Sequence, residues 1–466
     1  MISKKTISVV FTILLVIPFT FSQTTSIKNN EKPNIIFILS DDLGYGDLGC
    51  YGQKMFNTPN IDQLASEGLK FTQSYAGSSV CMPSRSSFMT GLHTGHTRHR
   101  GNYGLINDST KAYIGFERDQ ETIGTVMKRA GYKTAHIGKW HLGGTLENKN
   151  VAKYLGFDYT YGPFWNFLWT LDIKEKVFEN LVDHYKPEFY RNGEKIIIEG
   201  NLNKQMQVYN DDLLTEDAIN FISENKDSTF FMYLAYQAPH APMNSPTEFP
   251  YEDKSWPEVE RNFAATIYRL DNDIGKIVNH IKSLRLDKKT LIIFSSDNGP
   301  HNEGGHDYTF FDSNGQLRGR KLDFYEGGIR VPMIAWWPGT IKEKQETDHV
   351  CAFWDLLPTF AALGEGTVES KVDGLSFAPI LLGNKKEQKQ HEFLYWELHI
   401  GGFKQSVRFD NWKVIKLPDG KIEVYNLEQD ISEQNDLFNK YQNIVNKGKH
   451  LFNTARTENQ FWPVSN

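Results

Sequence analysis

Four short apolar runs recur along the chain, and each ends in polar or charged residues. They read NIIFIL over 34–39, KTAHI over 133–137, FFMYLAY over 230–236 and LIIF over 291–294. Brief runs rich in β-branched and aromatic residues, without alternation, predict strands buried on both faces of a parallel sheet. The stretch 331–337 predicts another. Between the runs, apolar residues fall at helical spacing: Ile61, Leu64 and Ala65; Ile123, Val126, Met127 and Ala130; Leu214, Ala218 and Ile222; and Phe263, Ile267, Leu270, Ile274, Ile277 and Ile281. Thr58 and Pro59 open the first of these helices as N-cap and first-turn proline. Strands alternating with helices to about residue 365 predict an α/β fold: a large, doubly wound, mostly parallel sheet flanked by helices.

The pattern then changes. Runs at 393–396, 406–409, 412–415 and 422–425, with Pro418-Asp419-Gly420 as a turn, predict a smaller C-terminal antiparallel sheet, and 435–452 a helix packed on it. A chain of 466 residues exceeds the usual size of a single core. The expected division is a signal peptide over 1–22, a main α/β domain over 32–370 and a C-terminal α+β subdomain over 385–466. The signal reading rests on Lys4 and Lys5 followed by an apolar run from Ile7 to Phe21, too short to span a bilayer. The protein is therefore expected to be exported, periplasmic or secreted, without a membrane anchor.

Composition narrows the chemistry. A net charge of -6 offers no basic footprint, so nucleic acid is not an expected partner. Cys50, Cys81 and Cys351 are the only cysteines and share no zinc-type spacing, which excludes a disulfide scaffold and leaves open whether Cys50 and Cys351 pair.

The polar ends of the apolar runs hold the candidate chemistry. Ser40-Asp41-Asp42 follows the first, Ser296-Asp297-Asn298 the last, and the carboxyl ends of parallel strands are where open α/β sheets bind ligands. Asp41, Asp42, Asp297 and Asn298 form an all-oxygen set of the kind calcium prefers. Lys139 and His141, two apart at a strand end, share a face, and His240 is held in extended backbone by Pro239 and Pro242. In the loop 93–102, histidines three apart suggest a metal site, but Gly95 breaks the helix that would align them; a polar rim, with Arg100 and Asn102 near substrate, is expected instead. His399 is a further candidate for the pocket lining.

Cys81-Met82-Pro83-Ser84-Arg85 places a cysteine at the start of a short helix ended by Gly91, where unpaired N–H groups favour an anion. With Gly138-Lys139-Trp140-His141, His240 and the two acidic turns in the same order, this stretch resembles the type I sulfatases of the alkaline-phosphatase-like superfamily. The resemblance implies that a formylglycine-generating maturation enzyme oxidises Cys81 to formylglycine (3-oxoalanine). Its hydrate attacks sulfur to give a covalent sulfo-enzyme, and one Ca2+ is held by Asp41, Asp42, residue 81, Asp297 and Asn298. By position, Arg85 and His141 serve the diol, Lys139 and Lys321 clamp sulfate, and His240 protonates the leaving oxygen. The expected function is an exported, calcium-dependent sulfatase acting on sulfated carbohydrate, exo-acting on oligosaccharides from a sulfated polysaccharide; one alternative is a phosphatase or phosphonate hydrolase of the same superfamily, whose relatives commonly use a different metal set. A non-catalytic sulfated-glycan-binding protein, with Cys81 left a thiol, is the remaining alternative.

Overall fold

Strand β1, Asn34–Asp41, lies at the centre of the largest sheet of the computed structural model, which describes residues 32–102, 105–107, 112–143, 151–163 and 183–464. The other strands of this sheet are β2 (Leu69–Phe71), β3 (Lys133–Gly138), β4 (Tyr159–Pro163), β5 (Glu188–Arg191), β6 (Glu194–Ile197), β7 (Phe230–Pro239), β8 (Thr290–Ser296), β9 (Met333–Trp336) and β10 (Gln345–Thr347). Among the described residues their order is β10-β2-β9-β8-β1-β7-β3-β4-β5-β6. The central block β8-β1-β7-β3-β4 is parallel, with Phe37 opposite both Tyr233 and Ile293. Antiparallel strands flank it on both sides.

The two-residue period of β1 explains why both sheet faces are covered. Ile36 and Ile38 join one core with Ile61 and Leu64 of helix α1 (Pro59–Ser66), while Ile35, Phe37 and Leu39 join the other with Phe88 and Met89 of helix α2 (Cys81–Thr90). Helices α4 (Asn210–Glu224) and α5 (Glu258–Ser283) complete the first face; α3 (Ile123–Arg129) and α6 (Leu356–Leu363) complete the second. Fully burying each such aliphatic or aromatic side chain contributes about 1.5–3 kcal/mol. Helix α2 begins at Cys81, before Pro83, and ends at Gly91, whose φ of 69° suits the left-handed cap.

Strands β11 (Leu394–Leu398), β12 (Lys404–Phe409), β13 (Trp412–Lys416) and β14 (Ile422–Asn426) form the small antiparallel sheet. Trp396, Leu398 and Tyr425 bury one face against Tyr75, Val80 and Trp354; Val407, Val414 and Val424 bury the other against Val445 and Phe452 of helix α7 (Gln442–Thr454). This helix starts later than the sequence pattern suggested. Asp436 instead accepts hydrogen bonds from Val424 N and Phe438 N, holding the preceding segment in turns.

Cys50 and Cys351 are both free thiols, so the pairing left open by the sequence does not occur. No described helix is long and apolar enough to cross a membrane. The expected signal peptide lies outside the described residues.

Candidate active site

Four neighbouring parallel strands deliver their carboxyl ends to one place. Asp297 and Asn298 follow β8, Asp41 and Asp42 end β1, His240 follows β7, and Lys139 and His141 follow β3. The two acidic turns are joined directly: Asp297 N donates to Ser40 O at 3.1 Å, and Asp42 N donates to Asp297 Oδ1 at 3.1 Å. Asp42 and His141 have φ of 66° and 54°, left-handed conformations that cost a non-glycine residue on the order of 1–3 kcal/mol and persist only where the surroundings enforce them. Gly138, with φ of 104°, is required before Lys139, because a Cβ there would sit 2.0 Å from Ala235 O.

Helix α2 brings Cys81 to these turns. Its thiol donates to Asp41 Oδ1 at 3.3 Å and lies 3.9 Å from Asp42 Oδ1. One donor atom from each of Asp41, Asp42, Cys81 and Asp297 falls within 4.8 Å of all the others. Asn298 donates from Nδ2 to Asp42 Oδ1 at 2.7 Å, and its buried Oδ1 has no hydrogen-bond partner. Convergent buried carboxylates with an unpartnered amide oxygen fit a hard divalent cation such as calcium.

The cations are equally buried. Arg85 donates from Nε to Asp297 Oδ2 at 2.9 Å and from Nη1 to Lys139 O at 2.9 Å, with Nη2 3.6 Å from Asp41 Oδ1. Lys139 pairs with Asp41, and Lys321 Nζ lies 2.8 Å from Asp42 Oδ2. Burial disfavours the Asp41 charge, but Lys139, His240 and Arg85 outweigh it and hold its pKa well below the carboxylate range. Asp42 is likewise brought to about 2 by Lys321 and His240 against burial. Asp297 moves the other way, to about 7, through burial and the charge of Asp41.

Two histidines complete the cluster. Burial, then Lys139 and Arg85, hold His141 neutral far below its ordinary range, and its buried Nδ1 makes no hydrogen bond within the protein. His240 Nδ1 donates to Ala241 O at 2.6 Å, which leaves Nε2 facing Asp42 Oδ2 at 3.7 Å. Cys81 itself is a poor nucleophile as a thiol, since burial, Asp297 and Asp41 raise its pKa well above the ordinary value.

The structure thus brings together Asp41, Asp42, Cys81, Arg85, Lys139, His141, His240, Asp297, Asn298 and Lys321. The outer three differ. Arg100 is not a solvated rim residue: its buried guanidinium donates from Nη1 to Glu397 Oε1 at 2.7 Å and to Thr457 O at 2.9 Å. Asn102 accepts from Met82 N at 3.0 Å through Oδ1, so it caps the Cys81 helix. His399 lies 3.3 Å from Glu397 Oε1 and beside the rings of Phe403 and Trp462. His93 and His96 do converge on Asp373 despite Gly95, but His93 Nδ1 accepts from Gly95 N at 3.2 Å. The neutral ring therefore carries its proton on Nε2, the atom 3.6 Å from Asp373 Oδ2, and acts as a clamp.

Sequence reasoning missed Glu303. Its carboxylate reaches Lys321 Nζ at 3.1 Å and His240 Nε2 at 3.8 Å from a polar glycine-rich loop with no local mark of function.

The family profile described as Sulfatase matches residues 33–366, and that described as N-sulphoglucosamine sulphohydrolase, C-terminal, matches 319–458. The chain is 32% identical over 391 residues to arylsulfatase A of Homo sapiens, covering 78% of this chain and 71% of the relative. It is 29% identical over 500 aligned residues to the N-acetylgalactosamine-6-O-sulfatase of Bacteroides thetaiotaomicron, covering 92% and 94%. The crystal structure of Ps i-CgsB in complex with k-i-k-neocarrahexaose is similar with a TM-score of 0.77 at 28% identity, covering 93% of this chain and 96% of that one.

Proposed function

Since the chain belongs to the sulfatase family and is a sulfuric ester hydrolase, we propose that it is an exported enzyme that removes sulfate from carbohydrate, acting on sugars at the ends of chains derived from a sulfated polysaccharide. The observation that carries this reading is the position of Cys81, 3.3 Å from Asp41 and near enough to interact electrostatically with Arg85, Lys139 and Lys321, where four strand ends meet. The carbohydrate substrate is supported by the N-acetylgalactosamine-6-O-sulfatase relative and by the neocarrahexaose-bound neighbour. Export is supported by the apolar run from Ile7 to Phe21, which follows Lys4 and Lys5. We assign the catalytic work to 32–370, with 385–466 as the supporting subdomain.

Formylglycine made from Cys81 by a maturation enzyme would supply a geminal hydroxyl as nucleophile, and calcium, which Asp41, Asp42, Asp297 and Asn298 would hold, would supply positive charge to the site. Arg85, fixed by Asp297 and the Lys139 carbonyl, orients residue 81. Lys139 and Lys321 bind sulfate oxygens, exchanging part of their contact with Asp41 and Asp42 for the ester. His141, neutral and unpartnered at Nδ1, takes up the proton released at residue 81. His240, whose Nδ1–H is committed to Ala241 O, delivers a proton from Nε2 to the leaving oxygen.

The test is sulfate release by matured enzyme from defined sulfated mono- and oligosaccharides, alongside the phosphate ester of the same alcohol. Release from sugar sulfates with little action on phosphate is expected. A preference for the phosphate ester would replace this reading with the phosphatase one, and no release from any sugar ester would remove the carbohydrate assignment.

A further inference from the structure

Two carboxylates approach both His240 Nε2 and Lys321 Nζ, and they are not equivalent. Asp42 is fully buried and engaged by Lys321 and Asn298. Glu303 opens to solvent, with its side chain 45% exposed, while Oε1 stays 3.1 Å from Lys321 Nζ and Oε2 3.8 Å from His240 Nε2. Its backbone is anchored: Glu303 N donates to His301 Nδ1 at 3.0 Å, and His301 Nε2 donates to Pro239 O at 3.2 Å, the residue before His240. Gly304 and Gly305, at φ of 64° and 88°, then turn the chain away, and a Cβ on Gly304 would come within 3.2 Å of the Ala241 Cβ. The carboxylate is therefore held beside the proposed proton donor and a proposed sulfate clamp, on the side that opens to solvent.

A carboxylate so close to an anion-binding lysine repels a second negative group brought near it. It binds a hydroxyl well, because a carboxylate is acceptor-only and a hydroxyl can donate to it. We propose that Glu303 is a specificity residue: it accepts a hydrogen bond from the sugar hydroxyl adjacent to the scissile sulfate and disfavours a second sulfate at that place. This rests on the carbohydrate-sulfatase reading above.

The test uses one monosulfated sugar that the enzyme hydrolyses and the same sugar also sulfated on the adjacent hydroxyl. The wild-type protein favours the first. Glu303→Gln keeps an acceptor oxygen but removes the charge, and the preference in kcat/KM falls by about tenfold or more. Glu303→Ala removes the acceptor, raising KM for the monosulfated sugar about tenfold with a smaller fall in kcat, and weakening calorimetric binding of the desulfated sugar in parallel. If Glu303 only positions Lys321, both variants shift the two substrates alike; an unchanged preference would overturn the assignment while leaving the sulfatase reading intact. If the wild-type protein hydrolyses no sugar sulfate, the underlying reading fails and this assignment fails with it.

Discussion

Arg85 and Asp297 tie the Cys81 helix to the end of β8: Nε donates to Asp297 Oδ2 at 2.9 Å, Nη2 lies 2.8 Å from the same oxygen, and both side chains are fully buried. The pair therefore fixes the Cys81 helix against the acidic turn. Removing one partner leaves the other charge buried without compensation. Arg85→Ala is expected to lower stability by about 3–5 kcal/mol and sulfate release by at least about 10²-fold. Arg85→Lys, which keeps the charge but not the planar fork, should recover part of the stability and little of the activity. Urea unfolding and kcat/KM for the matured variants measure both.

The oxygen donor set predicts a dependence on calcium that can be read without turnover. Adding calcium to chelator-treated protein should raise the melting temperature, the gain being about 2.7 kcal/mol of stability at one hundred times Kd. Asp297→Ala should abolish turnover and show no such rise. A calcium-induced shift of wild-type size in Asp297→Ala would remove Asp297 from the metal set.

Most of this site was legible in the sequence because its residues sit directly after apolar runs, where a parallel sheet must present its carboxyl ends. Asp41, Asp42, Asp297 and Asn298 could be found by that rule alone. Arg100 could not be placed: its neighbours are polar, which suggests solvent, but its partner Glu397 is 297 positions away. Glu303 was invisible for a related reason, since only the fold of its loop brings it to His240. The start of α7 was misplaced because Asp436 spends its side chain on turn N–H groups in a stretch whose apolar spacing still reads as helix.

The Arg100–Glu397 pair also sets a pH dependence. Burial disfavours the Glu397 charge, but His399, Arg100 and Arg456 outweigh it and hold the carboxyl at about 2 instead of 4.5. Because the folded pKa is lowered, the stabilisation is present above about 4.5 and is lost as pH falls toward 2, amounting to roughly 3 kcal/mol in full. The stability difference between wild type and Glu397→Gln should therefore shrink across that window. A difference that stays constant from pH 5 to pH 3 would contradict the ion-pair account.

Lys413 lies 2.9 Å from Glu326 Oε1 and 3.0 Å from Glu433 Oε1, with all three side chains fully buried between the small sheet and the main fold. Lys413→Met leaves that acidic pair short of a cation and should cost about 3–5 kcal/mol in urea unfolding. At temperatures where the variant remains folded, kcat should be unchanged, since among the described residues this cluster bonds to Tyr75, Arg318 and Arg330 and not to the residues of the candidate active site.

Residue 81, after conversion of its cysteine, is the group proposed to attack the sulfate ester. The deciding measurement is sulfate release from one sugar sulfate by wild-type protein produced with a formylglycine-generating enzyme and by Cys81→Ala produced in the same way, with the mass of the peptide containing position 81 recorded for each. Formylglycine and sulfate release are expected for the wild type, and neither for the variant. Sulfate release by Cys81→Ala at the wild-type rate would rule out residue 81 as the nucleophile.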